Sequence, residues 1–319
     1  MAERRAELHP VAAAPSPATT ARPADVAACH PCFDPAAHQV VGRVHLPVAR
    51  RCNIRCAFCD RRVCANLGLQ RPGWATRLLS PQEAAALVRR LADQWQADGS
   101  SLGARPFVVG VAGPGEPLAN PETFEALDLV HRDFPALTKC VSTNGLLLAE
   151  SLPTLLQVGV RALTLTINAP DAEVGQRIAE WVRVGSPNNP GRILRGRAAA
   201  EALLQAQLGG VRAALRAGLA LKVNTVLVPG INDGETVVRL ARLLAAEGVA
   251  LMNLVPLIPA GHLAGHRAPS CEELRAARDA CERFVPQFRL CEQCRADVVR
   301  PPRGPAADGS RQPISPTGA

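Results

Sequence analysis

Six short apolar runs alternate along this chain with longer amphipathic segments. The runs are the strand candidates, and they cover residues 44–48, 107–111, 140–142, 162–167, 221–227 and 251–257. Between them, apolar residues recur with the period of an α-helix, which predicts helices over 81–96, 121–133, 147–157, 195–217, 235–247 and 271–284. Strands that are apolar on both faces and separated by helices are typical of a parallel sheet with right-handed crossovers. Six such units predict an α/β fold, a partial (β/α)6 TIM-like barrel, whose active site would lie at the C-terminal ends of the strands.

The two ends of the chain differ in composition from the part between them. Residues 1–27 and 300–319 are low in complexity and rich in Pro, which predicts a disordered N-terminal segment and a disordered tail around one ordered unit over 28–299. The N-terminus lacks the continuous apolar region of a signal peptide, and no later stretch is long and apolar enough to span a bilayer. We therefore expect a cytoplasmic protein that does not engage a membrane.

Composition and charge exclude some classes of function. Hydrophobic residues make up 47% of the 319-residue chain but aromatic ones only 3%, so the core would consist mainly of Leu, Val, Ala and Ile. The net charge of +8 is spread along the chain, without the basic stripe and stacking aromatics typical of nucleic-acid binding. We expect no nucleic-acid partner, whereas an anionic small molecule, an anionic cluster or an acidic protein is compatible with the charge.

Eleven cysteines in a chain without a secretory signal favour metal or redox chemistry over disulfides. Three of them, Cys52, Cys56 and Cys59, lie within eight residues, shortly after the first predicted strand. Thiolates at this spacing on one loop suit an iron–sulfur cubane, and because the group lacks a fourth thiol, one iron would stay open to a non-protein ligand. A closed structural zinc site needs four ligands, usually in two paired motifs, so it fits this stretch less well.

Polar and glycine-rich segments follow or end four of the other predicted strands. They are residues 113–116, residues 142–145, Asn168, and Asn224 with 229–233. Each alone is an ordinary turn signal. Together, at the same rim of one barrel and facing the cysteine loop, they predict a ligand site.

The cysteine triplet and these strand ends resemble the radical S-adenosylmethionine (SAM) superfamily, which implies a barrel of that superfamily's type. The resemblance implies that Cys52, Cys56 and Cys59 bind a catalytic [4Fe–4S] cluster whose open iron chelates the methionyl group of SAM. Reductive cleavage of SAM then gives a 5′-deoxyadenosyl radical, and the 113–116 segment would hold the methionyl amine. The full set of SAM-binding residues implied in this way is Gly113, Gly115, Glu116, Ser142, Thr143, Asn144, Asn168 and Asn224.

Further motifs make the resemblance more specific, and they are residues 30–33, 37–38, 42–45, 64–66, 112–121, 142–145, 165–168, 223–224, 229–233 and 291–297. Within the superfamily they resemble a family of nitrogenase iron–molybdenum cofactor biosynthesis proteins, over about residues 29 to 298. The resemblance implies that two [4Fe–4S] substrate clusters are fused around a SAM-derived carbide, with a ninth sulfur added, into the eight-iron precursor of that cofactor. One SAM would supply a methyl group to a cluster sulfide, and another the radical that removes hydrogen from it.

The same resemblance accounts for the other cysteines. It implies that one substrate cluster is ligated by Cys64, Cys140 and His45, and the other by Cys32, Cys291 and Cys294. Cys32, Cys291 and Cys294 would lie on N- and C-terminal extensions that close the active site. Three ligands per cubane leave one iron open, so a cluster meant for release is not fully enclosed. An imidazole leaves iron more readily than a thiolate, which suits a transient ligand.

Other interpretations of these residues stay open. His45 could be a buried strand histidine, and Cys64 and Cys140 could be small core residues. Cys291-x-x-Cys294 could be half of a zinc site with Cys29-x-x-Cys32.

Four more residues are interpreted from the sequence. We interpret Cys271 and Cys281 as small structural residues of the core, and His30 and His38 as neighbours of, or substitutes for, the ligands.

Three departures from the family pattern qualify the resemblance. Leu67 stands where relatives commonly have an acidic residue, and the loop over 258–269 is shorter than usual. The chain stops at Ala319 without the C-terminal cluster-carrier domain of many relatives, so we expect a stand-alone form with a separate carrier or scaffold protein for the product. The other expected partners are iron–sulfur cluster donor proteins and an electron donor.

Two competing functions remain. One is a different radical SAM enzyme that acts on a peptide or small molecule and uses the outlying cysteines for a permanent auxiliary cluster. The other is a non-enzymatic metal-binding scaffold, which would not need Glu116 and Asn144 beside the triplet.

Overall fold

A computed structural model describes residues 22–64, 71–97, 107–185 and 191–303. The strands within these ranges are β1 (Gly42–His45), β2 (Ile54–Cys56), β3 (Arg62–Val63), β4 (Trp74–Ala75), β5 (Phe107–Val111), β6 (Thr138–Thr143), β7 (Val160–Thr166), β8 (Ala179–Val184), β9 (Arg192–Leu194), β10 (Ala220–Leu227), β11 (Met252–Pro256) and β12 (Val299–Arg300). The helices are α1 (Pro23–Ala28), α2 (Pro35–Val40), α3 (Pro81–Ala97), α4 (Pro121–Asp133), α5 (Leu148–Gln157), α6 (Ala172–Gly175), α7 (Gly196–Arg216), α8 (Gly234–Ala246) and α9 (Cys271–Glu282).

The main sheet has the strand order β11-β10-β7-β6-β5-β1-β12. Its strands from β1 to β11 all pair in parallel, and only β12 is antiparallel, at the edge beside β1. Helices connect the parallel strands, as the alternation of apolar runs and amphipathic segments indicates. The predicted partial (β/α)6 barrel is therefore confirmed.

Alternate residues of the strands face two different layers, because side chains along a strand point to opposite faces. On β7, Leu163 belongs to the large aliphatic core formed with the helices. Its neighbour Ala162 packs instead against Val26 and Phe33 of the N-terminal extension, together with Ala220 of β10. Small residues on this inner face leave room for the extension, which therefore lies inside the curved sheet.

A second sheet carries the cysteine loop. Strand β2 pairs antiparallel with β8, and β8 pairs antiparallel with β9. Neither strand β8 nor β9 was predicted, because their sequences are short and carry charged residues among the apolar ones. The consequence is that the loop after β1 is fixed by a hairpin from a distant part of the chain.

Predicted boundaries agree with the structure for most of the elements, and the differences have physical causes. The first strand ends at His45 rather than residue 48, since Pro47 has no N–H to donate to the sheet. Helix α3 begins at a capping box, in which the side chains of Ser80 and Glu83 each accept a hydrogen bond from the backbone N–H of the other residue.

Both predicted boundaries of the ordered unit fall within secondary structure. Helix α1 begins before residue 28, and Arg300 pairs with Arg43 in the main sheet although the tail was predicted from residue 300. Residues 301–303 are also described, and the Arg303 N–H donates to the Val40 carbonyl at 3.0 Å, whereas residues 1–21 and 304–319 lie outside the described residues. No helix in the described part of the chain is long and apolar enough to cross a membrane.

Candidate active site

The main sheet curves around a cavity of about 390 Å³, a volume in the range of small-molecule sites. Most of the predicted site residues line it, although they come from every part of the chain. They are Cys32, His45, Cys52, Cys56, Cys59, Gly115, Glu116, Cys140, Ser142, Thr143, Asn144, Asn168, Asn224, Cys291 and Cys294. Gly113 and Cys64 are the predicted site residues that do not line this cavity.

The triplet of Cys52, Cys56 and Cys59 lies on a loop held at several points. The Ala57 N–H donates to the Ile178 carbonyl at 2.8 Å, and the Cys59 N–H to that of Cys56 at 3.0 Å. A β-carbon at Gly261 would lie only 2.7 Å from the Ala57 carbonyl oxygen, so glycine is needed where the loop after β11 covers the triplet. The loop is thus positioned before any metal binds.

The triplet thiols fit a metal cluster by their chemistry. Burial raises the pKa of Cys52 to about 11 and that of Cys56 well above its ordinary value, and each neighbouring thiol raises the pKa of Cys56 further. Burial likewise raises the pKa of Cys59. The thiols are therefore protonated at neutral pH, and a bound metal would replace their protons. Three such donors on one loop suit a [4Fe–4S] cluster with one open iron.

The 113–116 segment lies directly against the start of the cysteine loop. The Gly115 N–H donates to the Ala49 carbonyl at 2.7 Å, and the Glu116 N–H to that of Arg51 at 2.9 Å. A β-carbon at Gly115 would lie 2.2 Å from the Arg51 carbonyl oxygen, which only glycine avoids. Gly113 has a φ of 124°, which favours glycine too. Gly113 and Gly115 therefore shape the backbone of the segment.

Glu116 connects this segment to the end of β6. Its carboxylate accepts from the Thr143 hydroxyl at 2.5 Å, the Asn144 N–H at 2.7 Å and the Leu118 N–H at 3.1 Å. Burial raises the pKa of Glu116 to about 7, and these hydrogen bonds oppose the shift. The carboxyl group can therefore hold or release a proton near neutral pH.

The asparagines at the rim have different roles. Asn144 donates to Asn53 at 2.7 Å, which ties the end of β6 to the cysteine loop. Asn168 accepts from the Val226 N–H at 2.9 Å through its side-chain oxygen. Asn224 accepts from Asn253 at 3.0 Å. Each still lines the cavity, but the carboxamide oxygens of Asn168 and Asn224 are already engaged in joining neighbouring strands.

A second group of thiols faces the cavity from the two extensions. Cys32 follows α1, and Cys291 and Cys294 precede β12. The Arg43 guanidinium joins the two extensions, since its Nη1 lies 3.2 Å from Cys294 Sγ and 3.8 Å from Cys32 Sγ. The extensions therefore bring three thiols to one corner of the cavity.

The mononuclear zinc alternative lacks its fourth cysteine at this corner. Cys29 is exposed and does not line the cavity. In the described ranges, no three His, Cys, Asp or Glu side chains are arranged to hold a single metal ion.

His45 of β1 and Cys140 of β6 lie on either side of Gly110, which belongs to the intervening strand β5. A β-carbon at Gly110 of β5 would lie 2.8 Å from Cys140 Sγ and 3.3 Å from His45 Cδ2, so both side chains meet over this glycine. His45 Nδ1 lies 3.0 Å from the Arg295 carbonyl oxygen, which requires the proton on Nδ1 and leaves the Nε2 lone pair free. Burial lowers the pKa of His45 to about 4, so the imidazole is neutral. His45 is thus prepared to ligate a metal through Nε2.

In His30 the ring proton lies on the other nitrogen from that in His45. Its Nδ1 accepts from the Cys32 N–H at 3.1 Å, so the neutral ring carries its proton on Nε2. A protonated Nε2 cannot bind iron, and burial lowers the pKa of His30 well below its ordinary value. The Nε2 of His30 is buried and has no hydrogen-bond partner among the described residues, and the interpretation of His30 as a neighbour of the ligands stays a prediction.

The remaining sequence predictions have mixed outcomes. Cys281 is buried in the core, but Cys271 is exposed at the start of α9, so its interpretation as a core residue is wrong. Cys64 is half-buried beside β4, where its N–H donates to the Ala75 carbonyl. Leu67 lies outside the described residues.

Among the polar residues of the cavity that sequence reasoning missed are Arg43 on β1, Lys222 on β10 and Gln207 on α7. A charged residue within an apolar strand is a signal that could have found Arg43 and Lys222, since such residues are rarely buried without a partner. Gln207 donates to the Asn144 and Thr166 carbonyls at 2.8 and 2.9 Å. Its position within a long helix gave no such signal.

Comparisons with known proteins agree with this geometry. Residues 46–244 match the family model of the radical SAM superfamily. The chain is 41% identical to "FeMo cofactor biosynthesis protein NifB" of Methanocaldococcus jannaschii, over 86% of this chain and 87% of that protein. It is 40% identical to the protein of the same name from Methanocaldococcus infernus, over 85% and 84% of the two chains. A further relative of that name, from Klebsiella pneumoniae, is 40% identical over 86% of this chain and 57% of its own length.

Solved structures show the same fold at lower identity. A radical SAM methyltransferase from Sphaerobacter thermophilus superposes with a TM-score of 0.51 at 20% identity, over 78% of this chain and 64% of its own. Streptococcus suis SuiB bound to S-adenosylmethionine gives a TM-score of 0.51 at 11% identity, over 78% of this chain and 50% of its own.

Proposed function

This chain belongs to the NifB family of FeMo cofactor biosynthesis proteins within the radical SAM superfamily, and on that premise we propose the reaction that it catalyses. Two [4Fe–4S] substrate clusters are fused around a carbide derived from the methyl group of SAM, with a ninth sulfur added. The product is an [8Fe–9S–C] precursor of the nitrogenase iron–molybdenum cofactor. The chain is a radical SAM enzyme, as the sequence motifs predicted.

One observation supports this proposal above the others. The cysteine triplet, the His45 and Cys140 pair, and the Cys32, Cys291 and Cys294 group all line one cavity. An enzyme that acts on an organic substrate needs thiols only for its radical cluster and for electron relays. Three separate donor groups around a common space instead suit an enzyme whose substrates are themselves iron–sulfur clusters.

The cysteine triplet, Glu116 and Asn144 have different roles in this proposal. Cys52, Cys56 and Cys59 hold the radical SAM cluster, which supplies a 5′-deoxyadenosyl radical together with SAM. Glu116 and the backbone beside it bind the methionyl amine, while Asn144 fixes the adjoining strand end through its bond to Asn53. The loop after β11 covers the triplet, where the Leu263 N–H donates to the Ala57 carbonyl at 3.1 Å.

The substrate clusters occupy the other two donor groups. His45, with its free Nε2, and Cys140 hold one of them. Cys64, which follows β3 and does not line the cavity in this structure, is the third ligand of that cluster in the proposal. Cys32, Cys291 and Cys294 hold the other. A neutral imidazole can be displaced more easily than a thiolate, so the cluster on His45 is the one released from its ligand during fusion.

The proposed chemistry also requires partners. Cluster donor proteins must supply the substrates, an electron donor must reduce the radical cluster, and a carrier or scaffold protein must accept the product. The cytoplasmic location stays a prediction.

Anaerobic reconstitution with iron and sulfide tests the proposal. We expect about three cubanes per chain, and both 5′-deoxyadenosine and S-adenosylhomocysteine after addition of SAM and dithionite. Cys56→Ala should abolish SAM cleavage, whereas Cys294→Ala should spare it and lower the iron content.

Other outcomes point to other functions. 5′-Deoxyadenosine without S-adenosylhomocysteine would favour a radical enzyme with an organic substrate. Zinc with no nucleoside product would favour a metal-binding scaffold. Loss of SAM cleavage in Cys294→Ala would contradict the separate roles of the donor groups.

A further inference from the structure

The corner formed by Cys32, Cys291 and Cys294 has two buried cations beside its thiols. We propose that Arg43 and Lys222 form a cationic wall that retains an anionic iron–sulfur cluster at this corner, with Arg43 donating N–H···S hydrogen bonds to its cysteine ligands. This inference rests on the proposed function, because it concerns the cluster bound there. It assigns binding roles to two residues that are not themselves ligands of a cluster.

Arg43 points its guanidinium at sulfur. The residue is only 2% exposed, and its Nη1 lies 3.2 Å from Cys294 Sγ and 3.8 Å from Cys32 Sγ. A guanidinium has donors only, so sulfur is the acceptor in both contacts. Its Nη2 faces His38 Nδ1 at 3.3 Å, and its Nε has no partner among the described residues.

The nearest carboxylate does not neutralise Arg43 by direct contact. Glu292 forms its ion pair with Arg300 and lies 3.5 Å from His38 Nε2. Among the ion pairs of the described residues, none joins Arg43 to an acidic side chain. The negative charge that compensates Arg43 must therefore come largely from the cysteine sulfurs and whatever they bind.

Lys222 reaches the same corner from β10. It is 2% exposed, and its Nζ donates to the Cys32 carbonyl at 2.7 Å. The ammonium also lies 5.3 Å from the Phe33 ring centroid and 4.8 Å from that of Phe288, within the range of cation–π contacts. In the described part of the chain, no ion pair joins Lys222 to an acidic side chain, so the second cation also lacks a carboxylate partner.

Burying two neighbouring cations costs free energy unless an anion beside the thiols compensates their charge. A cubane in its +2 state bound by three thiolates is negative overall, and reduction makes it more so. Hydrogen bonds to sulfur and nearby positive charge stabilise the reduced state, which raises the reduction potential of such a cluster. The wall therefore has two effects, slower loss of the cluster and a less negative potential.

Arg43→Gln tests the first cation, since it removes the charge and keeps a donor. The parent protein carries Ala at Cys52, Cys56, Cys59 and Cys140, so that its bound iron reports mainly on this corner. We expect iron release to a chelator to be at least about tenfold faster in the Arg43→Gln variant, an energy difference of about 1.4 kcal/mol. The midpoint potential, followed by EPR, should become more negative, and Arg43→Lys should restore most of both properties.

A matched control and a stability measurement separate this role from a purely structural one. Arg161→Gln removes a half-buried arginine that donates to the Leu156 and Val160 carbonyls, away from the cavity, and should leave iron release unchanged. In the apoprotein, Arg43→Gln should not lower stability, because it removes an uncompensated buried charge. In the iron-loaded protein it should lower stability. Lys222→Met should behave in the same way in both states.

Three outcomes would overturn the inference. Equal iron release and equal potential in Arg43→Gln and its parent would refute it and leave the proposed function intact. Equal destabilisation of the apo and loaded proteins would show that Arg43 has only a structural role. A parent protein that holds no iron at this corner would overturn the proposed function, and the inference with it.

Discussion

Gly115→Ala is the substitution with the most specific expected effect on the site. The new β-carbon would lie 2.2 Å from the carbonyl oxygen of Arg51, 2.7 Å from its carbonyl carbon and 3.1 Å from the carbonyl oxygen of Ala49. All three atoms belong to the backbone, so no side-chain rotation can relieve the clash. The 113–116 segment and residues 49–51 must therefore move apart, and Cys52 follows directly on the moving residues.

The cost follows from the contacts that this movement breaks. The Gly115 and Glu116 N–H groups donate to the Ala49 and Arg51 carbonyls at 2.7 and 2.9 Å. Each lost bond with its buried groups left unpaired costs about 1–3 kcal/mol. The less flexible unfolded chain of the alanine variant returns about 0.4–1 kcal/mol. The two bonds together cost about 2–6 kcal/mol, so we expect a net loss of about 1–6 kcal/mol in the free energy of unfolding.

Gly209→Ala is the matched control, because it makes the same chemical change within helix α7. A β-carbon there meets nothing within 4 Å, so alanine should stabilise the helix by up to about 1 kcal/mol. Urea unfolding of both apoproteins and iron analysis after reconstitution provide the assay. Gly115→Ala should lose stability and bind less iron at the triplet. If its stability and iron content match those of Gly209→Ala, our description of the loop contact is wrong.

Two further substitutions test the hydrogen bonding around the cavity. Burial raises the pKa of Glu116 from 4.5 to about 7 in the folded protein. As the pH rises between these two values, the unfolded chain loses the proton before the folded protein does. The free energy of unfolding therefore falls by about 3 kcal/mol over this pH interval. Urea unfolding at both ends of the interval should show this part of the pH dependence in the wild type and not in Glu116→Gln; equal slopes would contradict it. Asn232→Ala should cost about 3 kcal/mol in the same assay, because the buried carboxamide makes three hydrogen bonds to the backbone at 2.7–2.8 Å. A loss below about 1 kcal/mol would show that water replaces those bonds.

Much of the fold could be predicted because its signals are local. The apolar runs and helical periods specify the parallel strands and their helices, and proline or a capping residue marks several helix starts, as at Pro81, Pro121 and Ser270. The antiparallel sheet of β2, β8 and β9 has no local signal of this kind. Its strands are brief, and β2 and β8 are joined by pairing over a long sequence separation, as between Ile54 and Val182.

The candidate site was predicted as a set of residues but not as a set of contacts. The spacing of Cys52, Cys56 and Cys59 indicates a shared cluster because all three lie on one loop. Nothing local shows that Arg43 lies against Cys294, since that contact depends on how β12 returns to the edge of β1. The choice of histidine also needed the structure, because the Arg295 carbonyl and the Cys32 N–H fix the ring protons of His45 and His30.

The origin of the carbide is the central claim of the proposed function, and isotopic labelling of SAM tests it most directly. The reconstituted wild-type protein is supplied with SAM that carries deuterium in its methyl group, and the 5′-deoxyadenosine is recovered for mass spectrometry. If the radical removes hydrogen from a methyl group transferred to a cluster sulfide, deuterium must appear in the 5′-deoxyadenosine, and Cys56→Ala must form none of this product. 5′-Deoxyadenosine that contains no deuterium, formed while SAM is consumed by the wild type, would contradict the account.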